Sequence, residues 1–278
     1  MVDRPAIAVS MGDPAGVGPE LCLRALNNGE LRESCTLVVF GDPQVLKRVS
    51  AATGQALAAD EIPLEEFRCG CVTAEEAVVV GCSALSEAEV QPGKISASCG
   101  IASFHYVEAA IHAALQGKVC AVVTAPIQKE AWRLAGVVYP GHTEAFTVLT
   151  GARKTCMMQM SSELTVTMVT THVGYAEVPQ LLTVQRVFDV IELTANALAD
   201  MTGRAPRLGV CGLNPHAGEH GLFGQREEER IILPAIERAR SGGIAVDGPL
   251  PPDAAFLPHV RKQFDAIVCM YHDPVSYT

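Results

Sequence analysis

Short runs of β-branched and apolar residues alternate with longer segments of helical periodicity along most of this chain. That alternation restricts its fold more than any other feature. Strand-like runs lie at 5–11, 35–41, 76–81, 119–124, 164–171, 207–213 and 266–271. Between them the apolar spacing predicts helices at 18–27, 43–53, 99–116, 128–135, 143–150, 183–201 and 225–241. Residues 54–75 are less regular and are expected to form a surface excursion. Apolar strands separated by helices call for crossover connections, hence largely parallel sheets covered on both faces. The expected class is α/β, with two α/β/α domains. Thr-Ala-Pro at 124–126 ends a strand, so the division is placed there, giving domains of 1–126 and 127–278.

Composition narrows the function. With 49% hydrophobic and 19% charged residues over 278 positions, the chain has enough apolar material for one large or two modest cores. A net charge of −10 argues against nucleic acid, which requires clustered Lys and Arg to neutralise phosphates. It leaves an anionic small substrate open, because a few local donors override the global sign. No apolar run approaches the roughly 20 residues of a membrane span. The N-terminus passes into a strand without a signal-peptide core, so a cytoplasmic location is expected. Ten scattered cysteines, with Cys120, Cys211 and Cys269 in strand-like runs, read as small core residues.

Three histidines each follow a strand-like run: His172 in Val-Thr-Thr-His, His216 in Leu-Asn-Pro-His and His272 in Met-Tyr-His-Asp. In open α/β sheets ligands gather at the carboxyl ends of strands. Three imidazoles gathered there form a metal site that leaves the ion an open position, the pattern of catalysis. Imidazoles suit zinc, cobalt or nickel, and a substrate bringing oxygen ligands could add magnesium or manganese. Other loops carry chemistry too. Gly-Asp-Pro-Ala-Gly-Val-Gly-Pro-Glu (12–20) joins the first strand to the first helix and reads either as an anion-binding turn or as a plain tight turn. In Gly-His-Thr-Glu (141–144), His142, Thr143 and free helix N–H groups could grip a phosphate, or Thr143 could serve as a helix cap. The acidic run Glu227-Glu228-Glu229 reads as a solvated helix start.

With these loops the chain resembles the 4-hydroxythreonine-4-phosphate dehydrogenase family of pyridoxal phosphate (pyridoxine) biosynthesis. The matching elements are 12–20, Thr-Ala-Pro-Ile-x-Lys (124–129), Gly-His-Thr-Glu (141–144), Asn-Pro-His-Ala-Gly-Glu (214–219), Gly-Pro-Leu-Pro-Pro-Asp (248–253) and Tyr-His-Asp (271–273), all in family order. The resemblance implies a subunit with the fold of isocitrate and isopropylmalate dehydrogenases. It also implies a homodimer whose active sites use both subunits. His172, His216 and His272 match the family's metal ligands, and His142 and Thr143 its substrate-binding pair. Asp273 and Lys129 are the candidate proton carriers.

The activity implied is metal-dependent oxidation and decarboxylation of 4-hydroxythreonine 4-phosphate, a phosphorylated hydroxy acid, with NAD or NADP. Paralogues act on D-threonate or D-erythronate 4-phosphate, and Phe223-Gly224 and His272-Asp273-Pro274 lean towards that branch. Family members continue beyond Tyr-His-Asp with further substrate contacts, the dinucleotide loop and part of the first domain's sheet. The cofactor-binding residues are therefore expected in that tract. Without it, impaired NAD binding is expected, and a non-catalytic metal- or phosphate-binding remnant is the rival of another class.

Overall fold

The computed structural model describes residues 4–70 and 77–272, which divide into two compact units meeting between Ala152 and Arg153. The first unit is built on β1 (Ala6–Ser10), β2 (Thr36–Gly41), β3 (Asp60–Pro63), β4 (Val78–Gly81) and β5 (Ala121–Thr124). Their order is β3-β4-β2-β1-β5, and every pair is parallel. β2 is buried along its whole length, as its run Thr-Leu-Val-Val-Phe-Gly, apolar after Thr36, requires of a central strand. Asp42 ends it and caps the helix Pro43–Thr53. Its Oδ1 accepts from the Gln44 and Val45 N–H groups, and its Oδ2 accepts from Ser83 Oγ and the Leu85 N–H. Pro43 suits the first helical position, and Gly54, at φ 70°, closes the other end.

The helix Ala97–Leu115, capped by Ser96, packs against β1 and β2. Its other side receives the helices Lys129–Leu134 and His142–Leu149, through a cluster of Val107, Ile111, Trp132 and Ala145. Trp132 is 1% exposed and donates from Nε1 to Ser103 Oγ at 2.8 Å. The division placed near residue 126 therefore falls inside the first unit: residues 127–149 share its core. Thr-Ala-Pro marks the end of a strand and not the end of a domain.

The second unit holds β6 (Met157–Met160), β7 (Thr165–Met168), β8 (Arg207–Cys211), β9 (Ala245–Leu250) and β10 (Ala266–Cys269), in the order β6-β7-β10-β8-β9. All pairs are parallel except β6 with β7. The helix Val184–Thr202 lies over this sheet. It starts at Thr183, whose hydroxyl accepts from the Arg186 N–H, and ends at Gly203 in the left-handed region. Thr194 donates to Thr167 Oγ1 of β7 at 2.8 Å, tying the buried helix face to the strand beneath it.

The α/β class and the largely parallel sheets are as the alternation predicted. Three strands lacked a readable signal. β3 is the exposed edge Asp-Glu-Ile-Pro, β6 is Met-Met-Gln-Met without a β-branched residue, and β9 carries Gly248 and Pro249. Each is an edge strand, where burial does not demand an apolar run and proline is tolerated. Cys211 and Cys269 are buried as expected, but Cys120 is exposed because β5 is also an edge. No helix among the described residues is long and apolar enough to cross a membrane.

Candidate active site

In the first unit, the glycine-rich loop 12–20 is locked onto the turn that follows β5. Gly12 has φ 73°, and a Cβ there would sit 2.4 Å from the Pro126 carbonyl oxygen, which accepts from the Asp13 N–H. A Cβ on Gly18 would lie 1.9 Å from the Met11 carbonyl oxygen. Only glycine permits these approaches, so the loop's composition follows from its packing as much as from any ligand. The Asp13 carboxyl accepts from the Ala15 N–H; burial, partly offset by that bond, holds its pKa above the ordinary value.

The turn leads to Lys129 at the start of the helix Lys129–Leu134, and next along the chain comes Gly-His-Thr-Glu. Gly141 is the N-cap of the helix His142–Leu149, so Thr143 is inside the first turn and exposed and does not cap it. A Cβ on Gly141 would stand 4.0 Å from Lys129 Nζ. The His142 ring packs edge-on against Trp132 at 5.8 Å between centroids, and its Nε2 is buried with no hydrogen-bond partner. Burial, then the Lys129 charge, pushes the His142 pKa below the ordinary histidine value. A buried ring nitrogen without a partner, with an ammonium nearby at a helix start, is suited to receive an anion. Lys129 and His142 are thus brought together, with Thr143 on the same turn.

In the second unit, β10 lies between β7 and β8, so His172, His272 and His216 follow the carboxyl ends of three neighbouring strands. The pairing of β7 with β10 continues past the strands themselves. The Val169 N–H donates to the Cys269 carbonyl oxygen, and Thr170 donates to that of Met270 from both its N–H and its Oγ1. That extension sets the His172 and His272 rings 6.1 Å apart, tilted by 34°. Both line a pocket of about 200 Å³ with Thr170, Tyr175, Val178 and Tyr271. His172 has φ 54°, a left-handed backbone uncommon for non-glycine residues.

His216 stands apart from that pair. Its Nδ1 is 3.6 Å from Glu219 Oε2, and its ring meets Phe223 edge-on at 6.0 Å. It opens a left-handed turn: His216, Ala217, Gly218, Glu219 and His220 all have φ between 41° and 78°. For the four non-glycine residues that conformation costs about 1–2 kcal/mol each. Among the described residues no three His, Cys, Asp or Glu side chains converge closely enough to enclose an ion. The donors still fit a divalent cation in kind, because two imidazoles open into one pocket and a third follows the adjacent strand. Asp273 lies outside the described residues.

The acidic run is not the solvated helix start that the sequence suggested. Glu228 is 2% exposed and Glu227 6% exposed, and both hold the segment leading to His216. Glu228 Oε1 accepts from the Leu213 and Asn214 N–H groups at 2.9 and 2.7 Å, and Oε2 accepts from Asn214 Nδ2 at 3.0 Å. Glu227 Oε2 accepts from Asn214 Nδ2 and the Gln225 N–H. Burial pushes the Glu227 carboxyl up, but these bonds and the Arg230 charge outweigh it and hold its pKa below the ordinary value. The only sequence signal for this role was an Asn-Pro-His loop a dozen residues upstream of two adjacent carboxylates.

Residues 33–277 match the family described as "Pyridoxal phosphate biosynthetic protein PdxA". The chain belongs to this family. Two curated relatives show how its members divide. A 4-hydroxythreonine-4-phosphate dehydrogenase of Geobacter metallireducens is 41% identical over 97% of this chain and 79% of its own length. A D-threonate 4-phosphate dehydrogenase of Cupriavidus necator is 39% identical over 97% of this chain and 80% of its own. A solved 4-hydroxythreonine-4-phosphate dehydrogenase structure from Klebsiella pneumoniae superposes with a TM-score of 0.84 at 37% identity, covering 98% of this chain and 81% of that one. The resemblance drawn from the six motifs is therefore a family membership, and the PdxA dehydrogenases share its fold.

Proposed function

We propose that the chain oxidises 4-hydroxythreonine 4-phosphate at its 3-hydroxyl with NAD or NADP. The β-keto acid formed then loses its carboxylate as carbon dioxide and leaves 3-amino-2-oxopropyl phosphate for pyridoxal phosphate synthesis. The observation that carries this reading is the buried, unpartnered Nε2 of His142 beside Lys129, within the family's Gly-His-Thr-Glu motif. His142 donates to the substrate phosphate from Nε2, and Thr143 adds its exposed hydroxyl and backbone N–H at the same helix start. Holding the phosphate there fixes the position of the reacting carbon, which saves orientational entropy. Lys129 and Asp273 are the proposed proton carriers.

His172, His216 and His272 are the residues that would hold a divalent ion, zinc foremost, and such an ion acidifies the substrate hydroxyl and stabilises charge that develops on oxygen. A nicotinamide, when bound, would supply the hydride acceptor for that oxidation. The proposed assembly is a cytoplasmic homodimer with shared sites, acting on small phosphorylated acids and not on nucleic acid.

A second reading, D-threonate 4-phosphate as substrate, is favoured by relatives of that name at nearly the same identity. The two substrates differ only at C2, amine against hydroxyl. Turnover with each, followed by NADH absorbance in the presence of zinc, separates them. A preference of tenfold or more in kcat/KM, about 1.4 kcal/mol, decides the substrate. Absence of turnover on both, with no heat of NAD binding by calorimetry, would favour the non-catalytic remnant and sink the proposal.

A further inference from the structure

We propose that Glu228 is a positioning residue: it holds the 213–224 segment in its left-handed course and so fixes where His216 presents its ring. The inference rests on the reading of His216 as a metal donor, but its observations are independent of that reading. The Glu228 carboxylate lies inside the curve of the segment, bonded to the backbone at both Leu213 and Asn214 and to the Asn214 side chain. The segment closes tightly around it. A Cβ on Gly218 would lie 2.5 Å from Glu228 Oε2, and one on Gly212 3.1 Å from Oε1.

Adjacent residues of an α-helix point about 100° apart, yet Glu227 and Glu228 both reach Asn214. Glu228–Ile232 forms a π-helical turn, and Glu227 is its N-cap residue. Single π-turns inside helices are frequent at functional sites. Five successive left-handed residues do not persist without outside support. The two backbone N–H groups that enter the turn, at Leu213 and Asn214, donate to this one carboxylate oxygen.

The test compares wild type with Glu228→Gln, Asn214→Ala and His216→Ala. Cobalt(II) is titrated into each and followed by its visible absorption, and circular dichroism verifies the fold. Glu228→Gln should weaken cobalt(II) binding by about tenfold to a hundredfold, as loss of an outer support does. Asn214→Ala should do the same to a smaller extent. If Glu228→Gln does not fold, Asn214→Ala carries the test. Cobalt(II) affinity at the wild-type level in the folded variants, with His216→Ala impaired, would overturn the proposal. Should His216→Ala itself bind cobalt(II) like wild type, the metal reading of His216 fails. Amide exchange over residues 214–222 of the metal-free protein then decides the positioning role: faster exchange in Glu228→Gln supports it, and unchanged exchange refutes it.

Discussion

His142 shows how much one side chain can report about a site. Its pKa is lowered by burial and then by the Lys129 charge, so the folded protein holds the ring's proton more weakly than the unfolded chain does. The unfolded chain then binds more protons as pH falls through about 6.5, the ordinary histidine value. Stability is complete above that value, declines below it, and levels off under the folded pKa. His142→Asn should flatten the dependence of the urea midpoint on pH between about 7 and 5. The same variant should raise KM for the phosphorylated substrate by about tenfold or more, the loss of one charge-assisted hydrogen bond, with kcat less affected. An unchanged KM would remove His142 from the phosphate contacts. The places of the four candidate histidines in the fold were legible in the sequence, because each follows a strand-like run or opens a helix. Glu228 was not, since three consecutive glutamates read as a wet surface until the loop that covers them is seen.

At the scale of elements, the close contact between the helices Ala97–Leu115 and Lys129–Leu134 is set by one glycine. A Cβ on Gly100 would come 2.1 Å from the Ala131 carbonyl oxygen. Gly100→Ala must therefore push the second helix away, and with it Trp132 and the His142 ring that packs on it. The expected cost is about 1–3 kcal/mol, as for other overpacked sites. It should appear as a lower urea midpoint with an unchanged slope. A midpoint at the wild-type value would mean that the two helices are free to separate. The central strands and the long helices were readable because burial on both faces leaves a continuous apolar run, and one buried face leaves a 3.6-residue repeat. Edge strands such as β6 carry neither pattern, being specified by the neighbour they pair with.

The whole chain consists of two units, each with its own sheet and its own core, and the histidine trio belongs entirely to the second. Metal that binds those histidines should stabilise that unit first. With free zinc at a hundred times its Kd, the expected gain is about 2.7 kcal/mol. Hydrogen exchange should show added protection across residues 153–272 that chelation removes, with residues 4–152 little changed. Protection confined to the first unit would contradict the assignment of all three ligands. The boundary between units was the least legible feature of the sequence. Nothing in residues 124–153 announces that the two helices after Pro126 pack backwards onto Ala97–Leu115. The left-handed turn at 216–220, by contrast, bears on how such a chain changes over generations. At 217, 219 and 220, drift towards glycine would relieve the backbone and raise heat resistance while loosening the aim of His216. Selection for durability and selection for a fixed imidazole therefore pull these three positions in opposite directions.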